Sequence, residues 1–195
     1  YYQGLSSQRF FYRKMTYNDT FSWMEFYYDN PNLKYLGFDL NRPIEVMAKA
    51  WIEAQKERYE NNAFGQLGII SKANNDLVGS MGFKISAYCD EGEIEKMTGI
   101  KPAYWRQGVG KEASIAMINA VFENDLAKSI IGTRHIDNDS SRKYTQNLGF
   151  EDLEIIETST RQIVKYRLTK TAWEQKRDSG YFEGKRSFEK SITYF

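Results

Sequence analysis

The segment Lys101-Pro102-Ala103-Tyr104-Trp105-Arg106-Gln107-Gly108-Val109-Gly110-Lys111-Glu112-Ala113 joins a predicted strand to a predicted helix through a turn with two glycines. Amides in the first turn of a helix have no intrahelical acceptor and lie at the positive end of the helix dipole, so glycines there open a cradle for a phosphate. The question is which phosphate. A P-loop needs Gly-Lys followed by Ser or Thr, but Glu112 follows Lys111 and Trp105 stands where the upstream glycine belongs, which excludes that reading. Gly108 to Ala113 satisfies the dinucleotide pattern G-x-G-x-x-A. In that motif, however, a buried strand runs straight into the first glycine, whereas here the polar and aromatic stretch from Pro102 to Gln107 intervenes.

Downstream, Asn138-Asp139-Ser140-Ser141 opens a predicted helix and Leu148-Gly149-Phe150 follows it. Tyr104 to Ala113 resembles the coenzyme A pyrophosphate loop of the GNAT superfamily of N-acetyltransferases, and the later segment is similar to its Asn-x-x-Ser and Leu-Gly-Phe elements, in the same order. The Pro-x-Tyr-Trp lead-in resembles the RimJ/RimL-like branch, the ribosomal-protein-alanine acetyltransferase-like proteins. The likeness spans roughly residues 5–170. It implies an α/β (α+β) acyl-CoA N-acyltransferase fold, with a central mixed, mostly antiparallel sheet flanked by helices and splayed at the coenzyme-binding strands. It also implies acetyl-CoA as cosubstrate, no metal, and an amine acceptor, a protein N-terminus or a small amine, that attacks directly in a ternary complex.

The resemblance assigns parts to residues. The pyrophosphate would rest on the amides of Arg106, Gln107, Gly108, Val109, Gly110 and Lys111, where a side chain at Gly108 or Gly110 would fill its space. The pantetheine arm would run along the strand that ends at Gly99 and Ile100, with Asn138 and Ser141 bonding it from the neighbouring strand end. Asn138 and Ser141 equally suit caps of the following helix, and both readings stand.

Acetyl transfer needs a neutral amine, and a primary amine with a pKa near ~10 is mostly protonated at neutral pH, so a carboxylate acting directly or through water is the expected base. Glu93 and Glu95 fall on one strand face, opposite Ile94. Aligned by distance from Pro102-Ala103-Tyr104-Trp105, Glu95 matches the acidic residue common on this strand in similar proteins, so the resemblance ranks it above Glu93; the alternative is a pair of surface strand glutamates. Many members of the superfamily place a tyrosine general acid five residues before the Phe of Leu-Gly-Phe. Here that position is Thr145, preceded by Tyr144. One helical position is about 100° of rotation, so Tyr144 is expected to point elsewhere and Ser141 or solvent to protonate the thiolate. The oxyanion would meet a backbone N–H near Ile100.

These groups need a frame. Arg9 to Lys14 reads as a first strand, Thr16-Tyr17-Asn18-Asp19 as a cap for an aromatic helix from Phe21 to Tyr28, and Ile44 to Tyr59 as a helix with Val46, Met47, Ala50, Trp51 and Ala54 on its apolar face. Strands follow at Phe64 to Ser71, Leu77 to Ser86 and Glu93 to Ile100, then a largely buried helix from Val109 to Glu123. Ser129 to Ile136 is a short buried strand, Ser140 to Asn147 a helix, and Asp152 to Thr158 with Gln162 to Leu168 a closing hairpin. Residues 1–170 read as a single domain and 171–195 as a charged extension. The aromatics Trp173, Tyr181, Phe182, Phe188, Tyr194 and Phe195 lead us to expect the extension to pack on the domain or on a partner subunit.

Composition narrows the classes. With 27 basic against 26 acidic residues and net charge +1, no clustered basic surface for nucleic acid is expected, and no run of eighteen apolar residues suggests a membrane span. One Cys, Cys89, and one His, His135, share no ligand-like spacing, so neither metal binding nor a Cys/His pair is expected. The expectation is a cytoplasmic monomer or homodimer. A noncatalytic acyl-CoA binding or sensing module is the rival class, and a dinucleotide-dependent oxidoreductase a more distant one.

Overall fold

The computed structural model describes residues 4–61 and 64–182. Seven strands form one sheet: β1 Phe10–Lys14, β2 Gly65–Ser71, β3 Leu77–Lys84, β4 Glu93–Ile100, β5 Ser129–His135, β6 Glu151–Glu157 and β7 Gln162–Thr169, in the order β1-β2-β3-β4-β5-β7-β6. Every neighbouring pair is antiparallel except β4 and β5. That exception has a cause in the connection: a parallel pair needs a crossover, and helix α3, Val109–Glu123, supplies it. This is not the doubly wound parallel sheet that a dinucleotide fingerprint requires.

The two halves of the sheet are each tightly paired. β4 is in register with β3 from Glu95↔Lys84 to Ile100↔Gly79, and β5 with β7 from Ser129↔Thr169 to His135↔Ile163. Between them, β4 and β5 share the pairs Glu93↔Ser129, Ile94↔Ile130 and Glu95↔Ile131 and then part. The splay therefore begins after Glu95. The N–H of Lys101 donates to Val78 O at 3.1 Å, so by alternation the amides of Thr98 and Ile100 point to the opposite edge, into the opening.

Helices cover both faces. On one side lie α1, Thr20–Met24, and α2, Ile44–Glu60, with Trp23, Phe26, Tyr27, Met47, Ala48 and Ile52 in a common apolar cluster. On the other lie α3, α4, Asp139–Leu148, and α5, Lys170–Asp178. α3 buries Val109, Ala113, Ala116, Met117, Ile118, Ala120, Val121 and Phe122, which explains its narrow polar side.

Two local expectations are corrected. The helix expected from Phe21 to Tyr28 is a 3-10 turn, Tyr17–Asp19, and the short α1; Phe21 points to solvent while Trp23 is buried. The buried side of α2 is Met47, Ala48, Ile52 and Gln55, whereas Val46 and Ala50 are exposed. The face is rotated because a polar residue belongs to it: Gln55 Oε1 accepts the Gln66 N–H at 2.9 Å.

α5 is integral to the larger core. Trp173 is fully buried, its Nε1 donates to Asn119 Oδ1 at 2.8 Å, and its ring packs on Phe182. Phe188, Tyr194 and Phe195 lie outside the described residues. Trp173→Ala is expected to lower the unfolding free energy by about 3–5 kcal/mol in urea denaturation, the cost of truncating a buried aromatic. A change within about 0.5 kcal/mol, the usual range for surface substitutions, would mean that α5 is an appendage rather than part of the core.

Candidate active site

The loop after β4 ends at a helix that no side chain caps. Gly108 is the N-cap of α3 with φ 76°, a left-handed conformation suited to glycine, and the preceding Arg106 also has positive φ, 61°. The N–H of Glu112 donates to Gly108 O at 3.0 Å, so the amides of Val109, Gly110 and Lys111 precede the first intrahelical bond. α4 and α5 instead carry capping side chains, Asn138 accepting from the Ser141 N–H and Thr169 from that of Ala172. An anion therefore has bare amides at α3 alone of these three helices, and they fit a phosphate.

The loop is braced from both sides. Arg9 Nη1 donates to Gln107 O at 3.0 Å, and its Nε pairs with Glu112 Oε2 at 2.6 Å; Glu112 Oε1 also accepts from Ser7 Oγ and the Arg9 N–H. Beneath it, Tyr144 Oη donates to Gly110 O at 2.9 Å and lies 2.5 Å from Ser114 Oγ. Tyr144 thus points at the glycine loop, and burial pushes its phenol up to about 12. A Cβ on Gly110 would lie 3.4 Å from Tyr144 Oη, so a small side chain there needs little adjustment. Trp105 Nε1 donates to Ile100 O at 2.7 Å and Tyr104 Oη to Asp76 Oδ2 at 3.0 Å, which ties the lead-in to the sheet.

Glu93 and Glu95 are both buried, not surface residues. Glu93 is held by the Asp90 N–H, Ser129 Oγ at 2.8 Å and Arg167 Nε at 2.6 Å. Burial raises its pKa, but these donors outweigh it and hold the carboxyl below the usual range, which makes it the poorer proton acceptor. Glu95 stands at the throat of the splay, where Oε1 accepts from Thr133 Oγ1 at 2.9 Å and Oε2 lies 3.1 Å from Lys84 Nζ. Gly99, four residues further on the same face, backs onto Phe26 and Trp23. The glutamates therefore face α1 and α2, while Tyr144 and the glycine loop lie with α3 and α4.

Across the opening, Asn138 Oδ1 accepts the Ser141 N–H at 3.0 Å and Ser140 Oγ at 2.9 Å, so the capping role is occupied. Thr145 is buried and bonds back to the carbonyls of Ser141 and Arg142. His135 packs at a tilt against Tyr35, with ring centroids 5.2 Å apart, and Cys89 Sγ is 3.6 Å from Ser86 Oγ. Sequence reasoning missed the Arg9–Glu112 brace, the Ser114–Tyr144 contact and Lys96. A basic residue opening β1 and an acidic one in the first turn of α3 were the available signals for the first.

Comparison with known proteins agrees with this geometry. No curated protein is significantly similar in sequence. Among solved structures, a GCN5-related N-acetyltransferase from Brucella melitensis superposes with TM-score 0.74 at 13% identity, covering 92% of this chain and 83% of that one. A GNAT-family acetyltransferase from Bacillus anthracis gives TM-score 0.66 at 19% identity over 86% and 98% of the two chains. A Vibrio cholerae protein, provisionally described as a ribosomal-protein-serine acetyltransferase, gives 0.72 at 18% identity over 84% and 95%. At these identities the likeness is one of fold. Residues 9–151 match the family of the acetyltransferase (GNAT) domain. The chain therefore belongs to the GNAT acetyltransferase family, enzymes that transfer an acyl group from acyl-CoA to an amine.

Proposed function

We propose that the protein moves an acetyl group from acetyl-CoA to a primary amine, a protein N-terminus or a small amine, by direct attack in a ternary complex, as a member of the RimJ/RimL-like branch. The observation that carries this reading is the continuity of two features: β4 loses its partner after Glu95, and the uncapped amides of α3 lie just beyond the end of that open edge. A free strand edge suits the amide-bearing pantetheine arm, and the bare amides suit the pyrophosphate. The Vibrio cholerae relative, by its description, acts on a ribosomal protein, which favours a protein N-terminus among the acceptors.

In this reading, Arg106 to Lys111 hold the pyrophosphate and the edge at Gly99 and Ile100 holds the arm, with the N–H of Thr98 or Ile100 meeting the thioester oxygen. Asn138 and Ser141 form the opposite wall. Glu95 is the base: it sits at the throat, on the face of α1 and α2 where the acceptor would enter, and carboxylate lone pairs remain beyond its bonds to Thr133 and Lys84. Glu93, anchored to Arg167 and Ser129, orders the closed end of the splay. Residues 1–170 form the catalytic domain, and 171–195 an extension of it whose α5 completes the core.

Gly110→Glu should weaken acetyl-CoA binding in calorimetry by about 100-fold or more through clash and like charge, while Gly110→Ala keeps the fold and loses less. Retained affinity in Gly110→Glu would remove the loop assignment. Glu95→Gln should lower the single-turnover rate by about 10²-fold or more with acetyl-CoA affinity intact. Wild-type turnover in that variant would remove Glu95 as base. Peptides with a free N-terminal Ser or Ala, compared with polyamines, distinguish the acceptor classes.

A further inference from the structure

Strand β4 carries one more charged side chain, Lys96, that none of these roles uses. Lys96 is the first residue past the last β4–β5 pair, and it projects to the face opposite Glu95. It is 6% exposed. Its Nζ donates to Thr98 Oγ1 at 2.9 Å and lies 4.7 Å from the Tyr144 ring centroid and 5.9 Å from that of Phe150. Its register partner on β3 is Phe83.

Among the described residues, the groups around it supply no counter-charge. α3 offers Ser114, α4 offers Tyr144, and Tyr166 of β7 packs edge-on against Phe150. The carboxylates of Glu93 and Glu95 lie on the other face, engaged with Arg167 and Lys84. Among the described residues, Lys96 has the Thr98 hydroxyl and two aromatic rings as neighbours, and burial alone pushes its ammonium down to about 7. An ammonium taken from water without an anion is costly, and such groups concentrate at functional sites.

We propose that Lys96 donates the proton taken up by the departing thiolate, the task for which Thr145 lacks a suitable group. The inference rests on the acyl-CoA reading above, which lays the thioester along the open edge of β4. The acceptor nitrogen bonds to the carbonyl carbon, the C–S bond breaks, and its electron pair goes to sulfur. The Lys96 ammonium gives sulfur a proton and becomes a neutral amine; the proton leaving the acceptor nitrogen passes to Glu95 on the opposite face, and solvent exchange resets both. Burial lowers the Lys96 ammonium and raises the Tyr144 phenol, which makes Lys96 the readier donor of the two. Tyr144 is instead a positioning residue, its hydroxyl tied to Gly110 O and Ser114 Oγ.

The test is ultraviolet titration of the thiol of coenzyme A bound to wild type and to Lys96→Met, which needs no acceptor. Methionine fills the lysine's space without its charge, so thermal melting should show a fold at least as stable. Because the thiolate is the counter-charge that the ammonium lacks, the two titrate as a coupled pair, and the bound thiol is expected to titrate about one pH unit or more lower in wild type than in Lys96→Met. Single-turnover acetyl transfer to a Ser-initiated peptide is expected to fall about 100-fold in the variant. Equal thiol pKa values in two folded proteins that both bind coenzyme A would overturn the role of Lys96 and leave the acyl-CoA reading standing. Failure of wild type to bind coenzyme A would overturn that reading and this inference with it.

Discussion

The site depends on a mismatch between two well-paired half-sheets. β4 is committed to β3 through Ile100 and β5 to β7 along its whole length, yet the two strands share three residue pairs before they diverge. Because each strand is held firmly on its outer side, the gap cannot close by local rearrangement: closing it would break ladders that are already satisfied. The same parallel junction requires a crossover, and the crossover is α3, so the helix with bare N-terminal amides is delivered beside the open strand edge. Opening and anion cradle are thus two results of one topological choice.

The pleat then divides the chemistry. Glu95 and Lys96 are adjacent in sequence and for that reason project to opposite faces of β4. Glu95 looks toward α1 and α2, where Phe26 and Trp23 back Gly99, and Lys96 toward α3 and α4 beneath the glycine loop. The proposed base on one face and proton donor on the other suit a reaction in which the nucleophile arrives at, and the leaving group departs from, one carbonyl carbon along different paths. The braces around the loop serve the same end, since Arg9–Glu112 on one side and Tyr144 on the other limit how far the amides can move.

Much of this was legible in the sequence where a single local pattern dominated. The bounds of α3 follow from the glycines at its start and its dense apolar run, and β4 from its alternation. What escaped the sequence was decided by partners distant along the chain. Arg9 and Glu112 are 103 positions apart, and nothing near either announces the other. Gln55 lies on the buried side of α2 because of the Gln66 backbone, so apolar periodicity alone rotated that face toward Val46 and Ala50. The same limit applies to the segment from Glu93 to Thr98: alternation separates the faces, but burial of Glu93, Glu95 and Lys96 is set by Arg167, Lys84, α3 and α4. Helical phase was expected to turn Tyr144 away from the usual general-acid position, but could not say where it would point; its contact with Gly110 comes from how α4 packs on α3.

The central claim is that the open edge of β4 and the bare amides of α3 form one binding site for an acyl-CoA. Calorimetric titration of the folded wild-type protein with acetyl-CoA, with NADH as control, tests it most directly. The account predicts saturable one-site binding of acetyl-CoA and none of NADH; a folded protein that binds NADH, or that gives no binding heat with acetyl-CoA, would contradict it.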